Sequence, residues 1–408
     1  MRIRANNYAK WMIVLVCFLS LIVTACDSGG SATQTSSPIA TGSIPTIANS
    51  APTATSSIPT NTPTPAPLAV LDPSLSSSLP GAPTIGKISQ INLGNFYARD
   101  PIKVTPDGII LFGSWNGLTP TNQSAYKSVY FYNFTDQKIH TIATATPAPD
   151  GEDRGFGWAE GNNDWIIYID YTSNSLYWEL WATNVATNQK ILIDSAAKEQ
   201  FNAPMGGLTT NGKIVVYAIS TPNGPQLRKY DLTSEITTVM DSSGSYLFQA
   251  MQLSGNMLFF WKVSGPQTMT AWLWNLDQPA PVQLPVTPSL NVAFNGNYLV
   301  WDTAIDLGQY FKLSLYNIVT GKVIDPWGPQ CYRPGIALDR PYVACEGVNS
   351  VTAPLYLVRI PSGTSAPFGL ANGGEWGQIV NGHAYWPISN DKFPGTSTFI
   401  DYIDVPAQ

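Results

Sequence analysis

The chain has 408 residues and a formal net charge of −6, and 12% of its residues are charged. Without the three basic residues that precede residue 26, there remain 18 basic and 27 acidic residues, a net charge of −9. This balance argues against nucleic acid as a partner, and 408 residues leave ample chain for a sizeable core.

The N-terminal segment has the pattern of a signal peptide. Arg2, Arg4 and Lys10 precede a largely apolar run of 13 residues from Trp11 to Val23. A membrane-spanning helix needs about 20 apolar residues, so this run is short for a span. We therefore expect residues 1–25 to be a signal peptide.

The apolar run ends in the sequence "VTAC", residues 23–26. An aliphatic residue, two small residues and a cysteine resemble the bacterial lipobox, in which the cysteine thiol receives a lipid before cleavage. The resemblance implies that Cys26 anchors an extracytoplasmic protein to the bacterial cell membrane. An uncleaved anchor with an incidental cysteine is the alternative.

The next segment has the composition of a linker. Residues 28–71 contain no charged or aromatic residue, and Ser, Thr, Pro, Ala and Gly dominate. Such a chain buries too little apolar surface to offset the entropy of ordering it. We expect residues 26–80 to be a disordered linker and residues 81–408 to fold.

Seven similar segments follow one another in the folding part. Each has a small polar turn and then a short strand rich in β-branched and aromatic residues. The turns begin near residues 107, 162, 211, 254, 295, 339 and 381, and from the second onward the spacing is 41 to 49 residues.

A second pattern follows each turn, as in "LWATNVATNQKILI" and "LSLYNIVTGKVI". An alternating strand reaches a turn with Asn, Asp, Thr or Gly, and another strand returns, which is typical of a hairpin. Four antiparallel strands per unit of this length indicate a β-propeller blade. The fold class is therefore all-β, a propeller of seven four-stranded blades, with six or eight as alternatives.

The two ends of the repeat array complement each other. The seventh unit stops one strand short, whereas "IGKISQINL", residues 85–93, is an alternating strand without a unit of its own. We predict that this N-terminal strand becomes the outer strand of the last blade and closes the ring.

The repeats resemble the TolB-like and related WD-like β-propellers of bacterial envelope proteins, over about residues 81–408. The "PDG" at 106–108 matches that family's turn. The resemblance is one of fold rather than of activity.

Few residues suggest chemistry. His140 and His383 are the two histidines, in different blades, so no metal or other cofactor is predicted. Two groups of carboxylates could serve as an acid–base pair of a glycosidase or as calcium ligands, against the simpler interpretation of solvated acidic loops. These are Asp150, Glu152 and Asp153, and Asp302 with Asp306.

A candidate ligand site lies at the start of each innermost strand, where one mouth of the central channel is expected. Arginines and aromatic rings there offer a donor fork and stacking faces for an anionic or sugar-like ligand. The alternative is a polar channel whose arginines pair with Asp100, Asp153 and Glu375. The candidate residues are Tyr97, Arg99, Asp100, Asp153, Arg154, Asn202, Tyr246, Tyr332, Arg333, Glu375 and Trp376.

Cys331 and Cys345 are the cysteines left for the folded part. They are not symmetric about the hairpin turn expected near Asp339 and Arg340. A disulfide and two buried thiols therefore both remain open.

The function predicted is non-catalytic binding, as a monomer, of an envelope protein or glycan. The alternative is a glycoside hydrolase or lyase with carboxylates in the channel.

Overall fold

The computed structural model describes residues 82–115, 126–148, 151, 154–162, 164–172, 177–199, 207–242, 244, 246–265, 268–287, 289, 291–305, 310–347, 352–372, 377–389 and 396–407. The predicted signal peptide, Cys26 and the linker up to residue 80 lie outside the described residues. The described part contains no helix with the length and apolarity needed to cross a membrane.

The described strands form seven four-stranded antiparallel units, here called blades 1 to 7, each given from its innermost to its outermost strand. Blade 1 has β2 (Phe96–Thr105), β3 (Gly108–Trp115), β4 (Ser128–Asn133) and β5 (Lys138–Thr144). Blade 2 has β6 (Arg154–Gly161), β7 (Trp165–Thr172), β8 (Trp178–Asn184) and β9 (Lys190–Ser195), followed by the helix α1 (Ala196–Glu199). Blade 3 has β10 (Gly207–Thr210), β11 (Ile214–Thr221), β12 (Gly224–Asp231) and β13 (Ile236–Asp241).

The remaining blades repeat this order. Blade 4 has β14 (Leu247–Ser254), β15 (Met257–Gly265), β16 (Thr268–Asn275) and β17 (Val282–Gln283). Blade 5 has β18 (Val292–Phe294), β19 (Tyr298–Ile305), β20 (Tyr310–Asn317) and β21 (Lys322–Ile324). Blade 6 has β22 (Cys331–Ile336), β23 (Tyr342–Gly347), β24 (Thr352–Arg359) and β25 (Ser365–Asn372). Blade 7 has β26 (Gln378–Val380), β27 (His383–Ser389), β28 (Thr396–Asp404) and β1 (Ser89–Asn92).

The ring is closed by the N-terminal strand, so the predicted fold is confirmed. Strand β1 pairs antiparallel with β28, with Ser89 opposite Tyr402 and Asn92 opposite Phe399. The start of β2 continues along β28, where Ala98 lies opposite Ser397. Each innermost strand also contacts the innermost strand of the next blade, from β2 round to β26 and back to β2.

The apolar core lies between the blades. Each pair of neighbouring blades shares one cluster of buried side chains, seven clusters in the described residues. The cluster between blades 7 and 1 joins Tyr385 and Ile400 to Phe96 and Ile109. Successive side chains of a strand point to opposite faces of the blade, and each face packs against a neighbouring blade. Apolar side chains are therefore buried on both faces.

The turns after the innermost strands link neighbouring blades. The side-chain amides of Asn211, Asn295 and Asn381 each donate to a backbone carbonyl in the turn of the following blade, at 2.9, 2.8 and 2.9 Å. Asn381 donates to Pro106 of blade 1 and so links the last blade to the first. At Gly212, where φ is +86°, a Cβ atom would overlap the side chain of Asn162 from the preceding blade.

The second hairpin of five blades has a common turn. The fourth residue after the third strand of each of these blades has a left-handed backbone conformation. These residues are Gln137, Asn188, Glu235, Gly321 and Gly363. In each, the backbone N–H of that residue donates to the carbonyl four residues earlier, at 2.9 Å. An Asn or Asp at the end of the strand accepts turn N–H groups in four of them, as Asp231 does from Thr233 and Ser234. This repeated turn explains the second sequence pattern.

Candidate functional site

In the structure, the described candidate residues lie at or beside the starts of innermost strands, at the same end of their blades. Tyr97 and Arg99 lie in β2, Arg154 begins β6, Tyr246 directly precedes β14, and Tyr332 and Arg333 lie in β22. This end of the blades, called the mouth below, is opposite the turns that follow the innermost strands. Asp153, Asn202, Glu375 and Trp376 lie outside the described residues, as does the side chain of Asp100.

Arg154 points into blade 2 rather than out of it. Its side chain is 9% exposed, and its Nη1 lies 2.6 Å from Glu179 Oε2 and 3.3 Å from Asp170 Oδ1. Burial raises the pKa of Asp170 to about 6, although Arg154 opposes the rise. The guanidinium is shared and lies closer to Glu179, so it offsets only part of the desolvation of Asp170.

Arg333 occupies a bulge in β22, with a left-handed φ of 53°. Its backbone N–H donates to Asp302 Oδ2 at 2.9 Å, and its Nη1 lies 3.5 Å from Glu346 Oε2. The guanidinium carbon is also 5.1 Å from the ring of Tyr332. The bulge thus turns the backbone of Arg333 toward blade 5 and its side chain toward Glu346 of blade 6.

Asp302 is buried, at 3% exposure, and accepts hydrogen bonds from Ser289 Oγ and Asn291 Nδ2 at 2.9 and 2.8 Å. Burial raises its pKa, and these hydrogen bonds with that from Arg333 oppose the rise. The interpretation of Asp302 as part of a solvated acidic loop was therefore wrong, because β19 carries it into the core. Asp306, Asp150 and Glu152 lie outside the described residues.

Tyr246 contacts a buried lysine of blade 4. Lys262 Nζ lies 2.6 Å from Asp241 Oδ2. It is also 5.3 Å from the centre of the Tyr246 ring and 4.6 Å from that of Trp272. The positive charge is thus held by one carboxylate and two aromatic faces.

Of the ionisable residues of the second strands, sequence reasoning singled out Asp302 and missed the others. In blades 2, 4, 5 and 6, one charged residue stands near the end of an otherwise apolar second strand, and each is buried at the mouth. These residues are Asp170, Lys262, Asp302 and Glu346. A single charge at one repeat position of an apolar strand was the available signal.

The two cysteines are joined by a disulfide, with their Cα atoms 5.8 Å apart. The bulge between Tyr332 and Gly335 shifts the register of β22 against β23. In this register Cys331 lies opposite Gly347, two residues beyond Cys345, so the disulfide joins diagonal neighbours of β22 and β23.

The described part of the chain contains no group of three His, Cys, Asp or Glu side chains arranged to hold a metal ion.

A pocket of about 300 Å³ opens where blade 7 meets blade 1, at the end of the blades away from the mouth. It is called the seam pocket here, and sequence reasoning did not find it. It is lined by Ile91, Pro106, Tyr132, Phe134, Gln137, Asn381, His383, Tyr385 and Tyr402. A second cavity of about 390 Å³ adjoins it and shares Tyr132 and Gln137 as lining residues.

Aromatic rings form one wall of the seam pocket. Phe134 of blade 1 stacks on Tyr385 of blade 7, with ring centres 5.6 Å apart and planes 11° apart. Tyr385 stacks on Tyr402 at 5.6 Å and 28°. His383 meets Tyr402 edge to face at 5.6 Å, and its Nδ1 lies 2.9 Å from Asp404 Oδ1.

Solved structures of similar fold include the β-propeller domain of the Trilobed protease from Pyrococcus furiosus. That domain aligns with a TM-score of 0.51 and 11% identity, over 75% of this chain and 93% of its own. A prolyl endopeptidase structure aligns with a TM-score of 0.51 and 11% identity over 78% of this chain. The alignment covers 51% of the endopeptidase, so this chain spans about half its length.

TolB from Acinetobacter baumannii also aligns, with a TM-score of 0.40, 14% identity, and coverage of 75% of this chain and 79% of TolB. No protein-family model matches the sequence, and no curated protein matches it. At such identities a likeness shows the fold and leaves binding and catalysis equally open. The comparisons and the topology together make this chain a β-propeller protein.

Proposed function

We propose that the protein is a non-catalytic, extracytoplasmic binding or scaffold protein that recognises an envelope protein or glycan through its propeller. The observation that carries the proposal is that the described carboxylates at the mouth have partners within the fold, Asp302 in hydrogen bonds and three others in ion pairs. Asp170 and Glu179 contact Arg154, and Glu346 contacts Arg333. A glycosidase needs one carboxyl to donate a proton and a second to act as base or nucleophile, whereas these groups are held in ion pairs.

A second buried cluster, between blades 2 and 3, has the same character. Arg228 donates to Glu199 through two nitrogens, at 2.6 and 2.9 Å, and to Asp194 at 3.0 Å. Tyr217 donates to Asp194 as well, at 2.9 Å. These carboxylates also support the blades rather than offering a reactive pair.

Arg99 is the mouth residue best suited to contact a partner. Its side chain is half-buried, and no ion pair or hydrogen bond to its guanidinium is found among the described residues. Its Nε is buried without a partner there. A guanidinium at this position, without a partner among the described residues, fits a carboxylate or a polar glycan group.

The experiment is capture of ligands by the full-length protein, purified in a non-glycosidic detergent and immobilised. It is exposed to solubilised envelope proteins and wall polysaccharides, beside Arg99→Gln and a matched Arg359→Gln variant outside the mouth. We expect a ligand that the parent and Arg359→Gln retain and that Arg99→Gln loses. The supernatants are assayed for new reducing ends and for unsaturated sugars. If either product appears, the protein cleaves a polysaccharide, and the alternative function of a glycoside hydrolase or lyase would replace the binding proposal.

The proposal includes membrane attachment through a lipid on Cys26. Incorporation of labelled palmitate by the parent and its loss in Cys26→Ser would support this attachment, whereas labelling of both proteins would contradict it.

A further inference from the structure

The hydroxyl groups at the seam pocket have no hydrogen-bond partner within the described residues. This holds for Tyr132, Tyr385 and Tyr402, of which Tyr132 and Tyr385 are buried as whole residues, at 8% and 5% exposure. Their hydroxyl oxygens are nevertheless not among the buried side-chain atoms that lack a partner, so they remain accessible. Accessible hydroxyls on residues that line a pocket can exchange hydrogen bonds with a ligand.

The three tyrosines also line one pocket. The rings of Tyr385 and Tyr402 stack with their centres 5.6 Å apart, and Tyr132 faces the same space. Burial and then Tyr402 raise the pKa of both Tyr132 and Tyr385. The pocket therefore groups these hydroxyl-bearing side chains in one place rather than scattering them along the seam.

Further polar groups line the same space. Asn381 uses its amide nitrogen on Pro106, which leaves its amide oxygen without a donor among the described residues. Gln137 uses only its backbone N–H within that part of the chain. The pocket thus combines a stacked aromatic wall with hydroxyls and amides that can each donate or accept.

This combination matches the surface of a pyranose ring. A sugar presents an apolar C–H face, which packs on an aromatic ring, and a rim of hydroxyls that exchange hydrogen bonds with tyrosine and amide groups. The seam pocket and its neighbour lie within or near the range of about 300–1,000 Å³ found for ligand sites. Two adjoining cavities suit consecutive units of a chain.

The charges at the rim select against an anionic ligand. Asp404 lies 2.9 Å from His383, which lines the pocket, and Asp136 lies 2.8 Å from His140 beside the lining residue Gln137. Both carboxylates are exposed, and Lys138 lines the adjoining cavity. With the two histidines neutral, an acidic sugar would therefore meet more negative than positive charge.

We propose that the seam pocket binds a neutral oligosaccharide, with a sugar ring against its aromatic wall. The inference rests on the proposed binding function and names a ligand class for it. It adds a second site, at the junction of blades 7 and 1, to the one proposed at the mouth.

The test is titration calorimetry of the full-length protein, in a non-glycosidic detergent, with cellohexaose, maltohexaose and mannohexaose. Oligogalacturonate of the same length is the acidic probe. The pocket variant is Gln137→Ala with Tyr402→Phe, which removes two polar groups and keeps the aromatic stack. The matched control is Asn188→Ala with Tyr316→Phe. Asn188 occupies in blade 2 the turn position that Gln137 occupies in blade 1, and Tyr316 is a tyrosine of blade 5, outside the pocket.

We expect at least one neutral hexasaccharide to bind to the parent and the control, with affinity lowered about tenfold or more in the pocket variant. Equal affinity in all three proteins, or preference for oligogalacturonate, would overturn the inference. Failure of every neutral probe would overturn it too. Capture of an envelope protein by the same preparation would then leave the binding proposal standing.

Discussion

Asp170 shows how burial and charge compete at a single residue. Its carboxylate contacts Arg154, yet burial raises its pKa to about 6, above its ordinary value of 3.8. A carboxyl whose pKa is raised by folding holds its proton more tightly in the folded state. Its contribution to stability is therefore complete below pH 3.8 and is lost as the pH rises through about 6.

We predict that Asp170→Asn removes this pH dependence. The free energy of unfolding of the parent, minus that of the variant, should fall by roughly 2 kcal/mol between pH 4 and pH 7. Urea denaturation at several pH values measures the difference. Asp231→Asn is the control with the opposite sign, since turn N–H groups lower the pKa of Asp231. A constant difference for Asp170→Asn would contradict the argument.

At the scale of elements, the hairpin turns repeat a backbone conformation with different residues. Glu235 and Gly321 occupy the same left-handed position, with φ of 58° and 68°. A residue with a Cβ pays about 1–2 kcal/mol there, whereas glycine does not. A Cβ on Gly321 would meet nothing closer than the Tyr316 hydroxyl at 3.9 Å, so a substitution there tests conformation alone.

We predict that Gly321→Ala destabilises the protein by about 1 kcal/mol and that Glu235→Gly stabilises it by about 0.5 kcal/mol. The second value is smaller because glycine also gains freedom in the unfolded chain. Urea midpoints of the two variants check both signs. Identical midpoints for Gly321→Ala and the parent would show that the turn tolerates a side chain.

The elements were predictable where composition and periodicity agree locally. Alternating strands, NG-type turns and the second hairpins follow from short windows of sequence. The bulge at Arg333 does not, because a left-handed arginine is stabilised by Asp302 and Glu346 from other strands. The positions of the candidate residues at strand starts could be predicted because they follow from the same local strand and turn patterns. The carboxylates that pair with Arg154 and Arg333 could not, because they come from other strands.

At the scale of the whole molecule, closure depends on β1. Ile91 and Leu93 join the cluster between blades 7 and 1, and β1 supplies the edge hydrogen bonds of β28. The seam pocket also depends on β1, because β1 contributes Ile91 to its lining while Tyr402 comes from the opposite end of the folded chain. Local sequence patterns could not place residues so distant in sequence in one pocket.

We predict that a chain that begins at residue 96 is destabilised by roughly 5 kcal/mol relative to one that begins at residue 81. The loss combines the buried side chain of Leu93 and the partly buried side chain of Ile91 with the hydrogen bonds of one strand. Tryptophan fluorescence in urea measures it, and a synthetic peptide of residues 85–95 should restore part of the stability. Equal stability of the two chains would show that the ring closes without β1.

The place of β1 in blade 7 has a mechanical consequence. If Cys26 tethers the chain to a membrane, any pull on the folded part enters through the residues before Ser89. The force then acts first on the strand that holds the ring together, at the pairing of Ser89 with Tyr402. Tyr402 also lines the seam pocket, so a ligand bound there would brace the bond that tension strains first.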